Sequence, residues 1–103
     1  MFSKRERYSF KKSLPKNVLN SPSFSIRYEK NDESLRVAVV ASKKVDKRAA
    51  IRNKIKRKIS EAIRKKISID SPFNLIFYAK RDALNAENLE AEIEESFIKI
   101  KNV

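Results

Sequence analysis

Twelve lysines and arginines crowd the stretch from Lys43 to Lys66, opposed there by Asp46 and Glu61 alone. The chain as a whole carries a net charge of +12 in 103 residues. That excess is larger than solubility requires, and it implies a polyanionic partner, either nucleic acid or an anionic membrane surface. Within the stretch the residue types differ in what they can do. Arg52 and Arg57 present planar forks that match phosphate oxygens two at a time, with Arg48 nearby, while Lys54, Lys56 and Lys58 act as point charges. Asn53 both donates and accepts, which suits a ribose 2′-hydroxyl or a base edge. Lys43 and Lys44 extend the same footprint.

Catalytic chemistry has little to work with. The sequence holds no histidine and no cysteine, which removes the commonest general base, the commonest metal ligand and any thiol nucleophile. Asp32, Glu33, Asp46, Asp70 and Asp82 are scattered among expected turns and form no spacing that would hold a metal for phosphodiester hydrolysis. With no glycine in the chain, a Gly-rich phosphate loop is excluded and every turn must use Asn, Asp, Ser or Pro.

The elements that position the cations follow from periodicity. A chain of this length is one domain, 1–103, and no apolar run is long enough to span a membrane. The basic N-terminus has no apolar segment of the secretory kind, so the expected location is cytoplasmic. Tyr8, Phe10 and Leu14 suggest a short helix over 4–14, stopped at Pro15. A short strand at Val18 and Leu19 follows. Phe24, Ile26 and Tyr28 alternate with Ser25, Arg27 and Glu29, the pattern of a half-buried strand over 24–30. Residues 35–42 are apolar at nearly every position, which predicts a central strand covered on both faces, joined to 24–30 as a hairpin. The basic helix is expected over 47–67, and an apolar strand over 73–79 lies parallel to 35–42 across it. Leu89, Ile93, Phe97 and Ile100 mark a closing helix over 88–101, rich in Glu, with Asn85 as its cap. The order is thus α-β-β-β-α-β-α.

On the basic helix the apolar stripe is Ile51, Ile55, Ile59, Ala62, Ile63 and Ile67. At about 100° per residue, Asn53, Arg57 and Arg64 fall on the solvent side. Arg52 and Lys56 fall within the apolar arc, so their charged ends must emerge from a groove between helix and sheet rather than be packed as core. Phe10, Phe24 and Tyr28 are candidates to stack on unpaired bases, although core packing is the simpler role for Phe24.

These residues carry a resemblance. The run Leu35-Arg36-Val37-Ala38-Val39-Val40-Ala41-Ser42-Lys43-Lys44, followed by Arg52-Asn53 and Lys56-Arg57 on a helix, resembles the signature of the bacterial ribonuclease P protein component. The flanks agree in order, including Ala79-Lys80-Arg81 after the last strand. The resemblance implies a two-layer α/β (α+β) sandwich in which the basic helix makes a left-handed βαβ crossover. It also implies an accessory subunit of an RNA-based endoribonuclease that removes the 5′ leader of precursor tRNA. In that family the RNA subunit and its Mg²⁺ ions do the chemistry, so no protein-ligated cofactor and no catalytic protein residue are expected. The implied partners are the ribonuclease P RNA and precursor tRNA, with no membrane and no obligate protein partner.

Carried onto this chain, Lys43, Lys44, Arg48, Arg52, Asn53, Lys54, Lys56 and Arg57 would contact the RNA subunit. Phe10, Leu14, Arg27 and Tyr28 would line the groove for the single-stranded leader. Three departures stand out. The connection before Arg52 is one residue longer than the family's, with Asp46 and Lys47 where a glycine is usual. Ser60 replaces a further basic residue, and Leu14 replaces a second aromatic. On charge and fold alone, the alternative is a non-enzymatic structured-RNA-binding protein of ribosomal type. A membrane-surface helix would want Trp, Phe or Leu on its apolar face, and no helix-turn-helix pattern supports DNA binding.

Overall fold

A computed structural model describes residues 15–31, 34–68 and 71–101. The expected helix over 4–14, with Phe10 and Leu14, lies outside the described residues. The elements that follow are β1 (Asn17–Asn20), β2 (Phe24–Lys30), β3 (Arg36–Val40), α1 (Ala49–Lys66) and β4 (Phe73–Ala79). A single 3-10 turn at Arg81–Asn85 leads into α2 (Leu89–Lys101). Alternation and apolar runs thus located β2 and β4 to the residue. The basic helix is shorter at both ends than its periodicity suggested.

The four strands form one sheet in the order β1-β2-β4-β3. Both α1 and α2 contribute to the core with the sheet's inward side chains, giving two layers. Phe24 and Ile26 from β2, Val37 from β3 and Phe73, Leu75 and Phe77 from β4 meet Ile55, Ile59 and Ile63 of α1 and Ile67 just past its end. Leu89, Ile93, Phe97 and Ile100 of α2, the stripe expected from spacing, are all buried against them. Two ring pairs lie in this layer. Phe24 meets Phe77 at 5.3 Å between centroids, and Phe73 meets Phe97 edge-on at 5.7 Å. Phe24 has no exposed surface and is therefore core, not a base-stacking platform.

Two expectations about the sheet are corrected. The first is the hairpin between β2 and β3, which does not form. Instead β4 lies between them, antiparallel to β2 with Tyr28 opposite Leu75, and parallel to β3 with Val37 opposite Leu75. The chain leaving β2 is held away from a tight turn: Asn31 N–H donates to the Pro72 carbonyl at 2.9 Å, and its side-chain amide donates to Asn74 Oδ1 at 2.8 Å. The second is the central place given to strand 35–42. The central strand is β4, where Phe73, Leu75, Ile76, Phe77 and Ala79 are all buried. β3 is an edge strand in which only Val37 is fully buried. The cover expected on both faces of 35–42 is not found either: apart from Val37 the residues of β3 are half-buried, because both described helices pack on one face of the sheet.

None of the described residues has positive φ. Turns are closed by other means. Ser21 N–H donates to the Phe24 carbonyl at 2.9 Å, and Val45 N–H to the Ser42 carbonyl at 3.0 Å. Glu92 of α2 reaches across to the first of these turns, accepting from Ser23 N–H at 2.7 Å, from Ser23 Oγ at 2.8 Å and from Ser21 Oγ. Helix α2 begins after Asn88, whose carbonyl takes the first intrahelical bond from Glu92 N–H. Asn85 sits in the 3-10 turn and does not cap it.

Candidate nucleic-acid interface

The basic face is built from the exit of β3, the connection 42–48 and the first three turns of α1. Val45 anchors the connection by burying its side chain in the core. Asp46 then shapes the entry to the helix. Its Oδ1 accepts the Arg48 backbone N–H at 2.8 Å, a local side-chain turn that needs no glycine. The same carboxylate takes the Arg48 side chain, Nε at 3.1 Å and Nη2 at 3.0 Å. These bonds to Arg48 hold the Asp46 carboxyl down at about 2. An Asp-Arg clasp thus fixes the connection at the helix start.

Along α1 the cations separate into two groups. Arg57 and Arg64 are exposed together with the neutral Asn53, as the helical projection places them; Lys54 is exposed too, and Lys43, Lys44, Lys47 and Arg48 are exposed on the connection. Arg52 and Lys56 are half-buried. Arg52 does not reach out along a helix–sheet groove. Its Nη1 turns back and donates to the carbonyls of Asp46 at 3.1 Å and Lys47 at 3.0 Å, which stiffens the connection while leaving the positive charge at the surface.

The second group serves the fold. Lys58 Nζ donates to the carbonyls of Leu84 at 3.2 Å and Ala86 at 2.8 Å, tying α1 to the chain after β4. Lys65 pairs with Glu90 at 3.1 Å and Lys66 with Glu94 at 3.5 Å. The acidic α2 thus neutralises the far end of the basic helix, and the surplus positive charge is concentrated near its start. Ser60 is buried, and its hydroxyl donates to the Lys56 carbonyl at 2.7 Å. The position where the resemblance expects another cation belongs here to the packed side of the helix.

The sheet's other face is the second candidate surface. Register aligns Val18, Arg27, Ile76 and Ala38 in one row and Asn20, Ser25, Tyr78 and Val40 in the next. Arg27 is half-buried there, and its Nη1 donates to the Pro15 carbonyl at 3.2 Å. Tyr28, its neighbour in the strand, points to the opposite side and packs against the helix-side core. The two therefore do not line one surface. Tyr78 is a half-buried aromatic on the Arg27 side and was missed by sequence reasoning, although the inward series Phe73, Leu75, Phe77, Ala79 already places it outward. Among the described residues, no group of three or more His, Cys, Asp or Glu could hold a metal ion. No described helix is long and apolar enough to cross a membrane.

A basic helix packed on one side of a small α+β sheet, with two of its far-end lysines paired to α2, defines a small basic α+β protein of the polyanion-binding type. The comparisons narrow this: the family model for Ribonuclease P matches residues 3–101, and the chain belongs to that family as a bacterial ribonuclease P protein component. The fold is similar to that of the Staphylococcus aureus RNase P protein, with a TM-score of 0.69 at 24% identity over 82% of this chain and 81% of that one. A mutant of that protein with defective mRNA degradation activity matches at 25% identity, over 82% and 75% of the two chains, with a TM-score of 0.69. The RNase P protein from Thermotoga maritima matches over 96% of this chain and 98% of its own, with a TM-score of 0.67 at 19% identity. No curated protein sequence matches the chain.

Proposed function

We propose that this chain binds the catalytic RNA of ribonuclease P through Lys43, Lys44, Arg48, Arg52, Asn53, Lys54, Lys56 and Arg57, and assists removal of the 5′ leader from precursor tRNA. The observation that carries this reading is the exposed face of α1. It presents Asn53 and Arg57 together to solvent, while the cations at the far end of the helix are engaged by α2. Arginine forks and lysine charges neutralise backbone phosphates, and Asn53 supplies the neutral two-way hydrogen bonding that a ribose hydroxyl can meet.

The single-stranded leader is assigned to the sheet face that carries Arg27, with Phe10 and Leu14 added by the resemblance. Tyr28 is left out of that surface by its position on the core side. The Mg²⁺ ions of the reaction belong in this reading to the RNA and the substrate, as the resemblance implies. The protein's part is to lower electrostatic repulsion between two RNAs and to fix the leader, which reduces the Mg²⁺ the RNA needs.

The test is precursor-tRNA cleavage by a bacterial ribonuclease P RNA at low Mg²⁺, with and without the chain. Restored cleavage at the mature 5′ end is expected, with none from the protein alone. No stimulation of the cognate RNA, or reproducible cleavage by protein without RNA, overturns the assignment.

A further inference from the structure

The Ala79-Lys80-Arg81 run after β4 has no part in the contacts assigned so far. Because β3 and β4 are parallel neighbours, with Val40 opposite Tyr78, their carboxyl ends open at the same end of the sheet. The connection 42–48 and the start of the 3-10 turn therefore emerge side by side. Lys44, Val45, Asp46, Lys47, Arg48 and Arg81 line one surface depression there. Four of its six residues are cationic. Its one carboxylate is already engaged, since both Asp46 oxygens accept from the Arg48 side chain.

The two basic residues of the run are used differently. Lys80 is structural: its N–H donates to the Ser23 carbonyl at 2.9 Å, and its Nζ donates to the Ser21 carbonyl at 2.8 Å. Arg81 is exposed, on a backbone held firmly from both sides. Before it stand the Lys80 bonds. After it come the fully buried Ala83 and the Lys58 bonds to the Leu84 and Ala86 carbonyls. A guanidinium carried on a fixed backbone, lining one depression with two exposed lysines while Asp46 is paired with Arg48, suits a tetrahedral oxyanion.

We propose that Arg81, with Lys44 and Lys47 of the same depression, clamps a backbone phosphate of RNA at the carboxyl end of the parallel strand pair. The interface then continues around the end of the sheet instead of stopping at the helix. This rests on the reading of the chain as an RNA-binding subunit. The phosphate can come from the RNA subunit or from precursor tRNA, and both present the same diester.

The experiment measures the salt dependence of binding for the full chain and for Arg81→Ala, Arg81→Lys and Arg52→Ala/Arg57→Ala. Each is titrated against the ribonuclease P RNA alone and, in a second arm, against precursor tRNA in the presence of that RNA. Loss of one phosphate contact flattens the log–log slope by about 0.7–0.9, so a fourfold rise in salt weakens Arg81→Ala about 2.5- to 3.5-fold less than the parent. Arg81→Lys retains the slope. A change in the first arm assigns the phosphate to the RNA subunit; a change confined to the second assigns it to the precursor. A parent-like slope for Arg81→Ala in both arms overturns the clamp. If the double variant flattens the slope while Arg81→Ala does not, only the clamp fails; if neither does, the helix interface fails with it. Circular dichroism checks that each variant is folded.

Discussion

Arg57 and Lys58 are adjacent cations in a run of like charge, and the structure gives them opposite duties. Arg57 is exposed on the solvent side of α1. Lys58 is half-buried, and its ammonium donates to two main-chain carbonyls, at 3.2 Å to Leu84 and 2.8 Å to Ala86. Lys58→Met keeps most of the stem and removes both bonds. A hydrogen bond to a charged group contributes about 1.5–3 kcal/mol net when desolvated. Water replaces part of that at a half-exposed site, so the pair together contributes about 1–2 kcal/mol. In a domain of this size such a loss lowers Tm by about 5–10 °C. Urea unfolding should show a lower midpoint at unchanged m, because no surface is newly exposed in the native state. The salt slope of RNA binding should stay at the parent value. Arg57→Ala should do the reverse: parent-like unfolding, and a slope flatter by about 0.7–0.9. If Lys58→Met unfolds like the parent and flattens the slope instead, the division of the basic helix into an RNA-facing group and a structural group is refuted.

Two further outcomes follow from the same geometry. Glu92→Ala removes the acceptor for two Ser23 bonds and one Ser21 bond, and should destabilise the fold by about 2–3 kcal/mol, measured by urea unfolding. Glu92→Gln should recover more than half of that, because one acceptor oxygen remains. The Asp46 carboxyl, lowered from 3.8 to about 2 by its bonds to Arg48, gives stability that is fully present above 3.8 and lost as pH falls through about 2. A carboxyl-carbon NMR titration of Asp46 should have its midpoint near 2; a midpoint at the ordinary value of 3.8 would show the clasp to be absent in solution.

Local pattern carried much of this architecture. Strict alternation at Phe24, Ile26 and Tyr28 and the apolar run from Phe73 to Ala79 located two strands, and the Ile stripe located α1 with Asn53 and Arg57 outward. Sheet order was not legible, because pairing joins residues far apart in sequence. The Asn31 bonds that hold the end of β2 beside the start of β4 have no local signature. The roles of the cations were only half legible. Arg52 and Lys56 were marked as unusual by lying within the apolar arc. The capture of Lys58 by carbonyls beyond β4 depends on where the 3-10 turn docks, which no spacing on the helix encodes. Arg27 and Tyr28 cannot share one surface, because the period of two sends strand neighbours to opposite faces.

The glycine-free backbone, with no left-handed residue among those described, acts on the unfolded chain as much as on the folded one. An average chain of this length has about seven glycines. Each one replaced at a position of ordinary φ restricts the unfolded ensemble and favours folding by about 0.4–1 kcal/mol, or about 3–7 kcal/mol together. A chain with net charge +12 is disfavoured in its compact form by self-repulsion until phosphates arrive. The entropy withheld from the unfolded state offsets that repulsion. The two effects act in opposite directions on the free chain, and the binding of any polyanion removes only the unfavourable one.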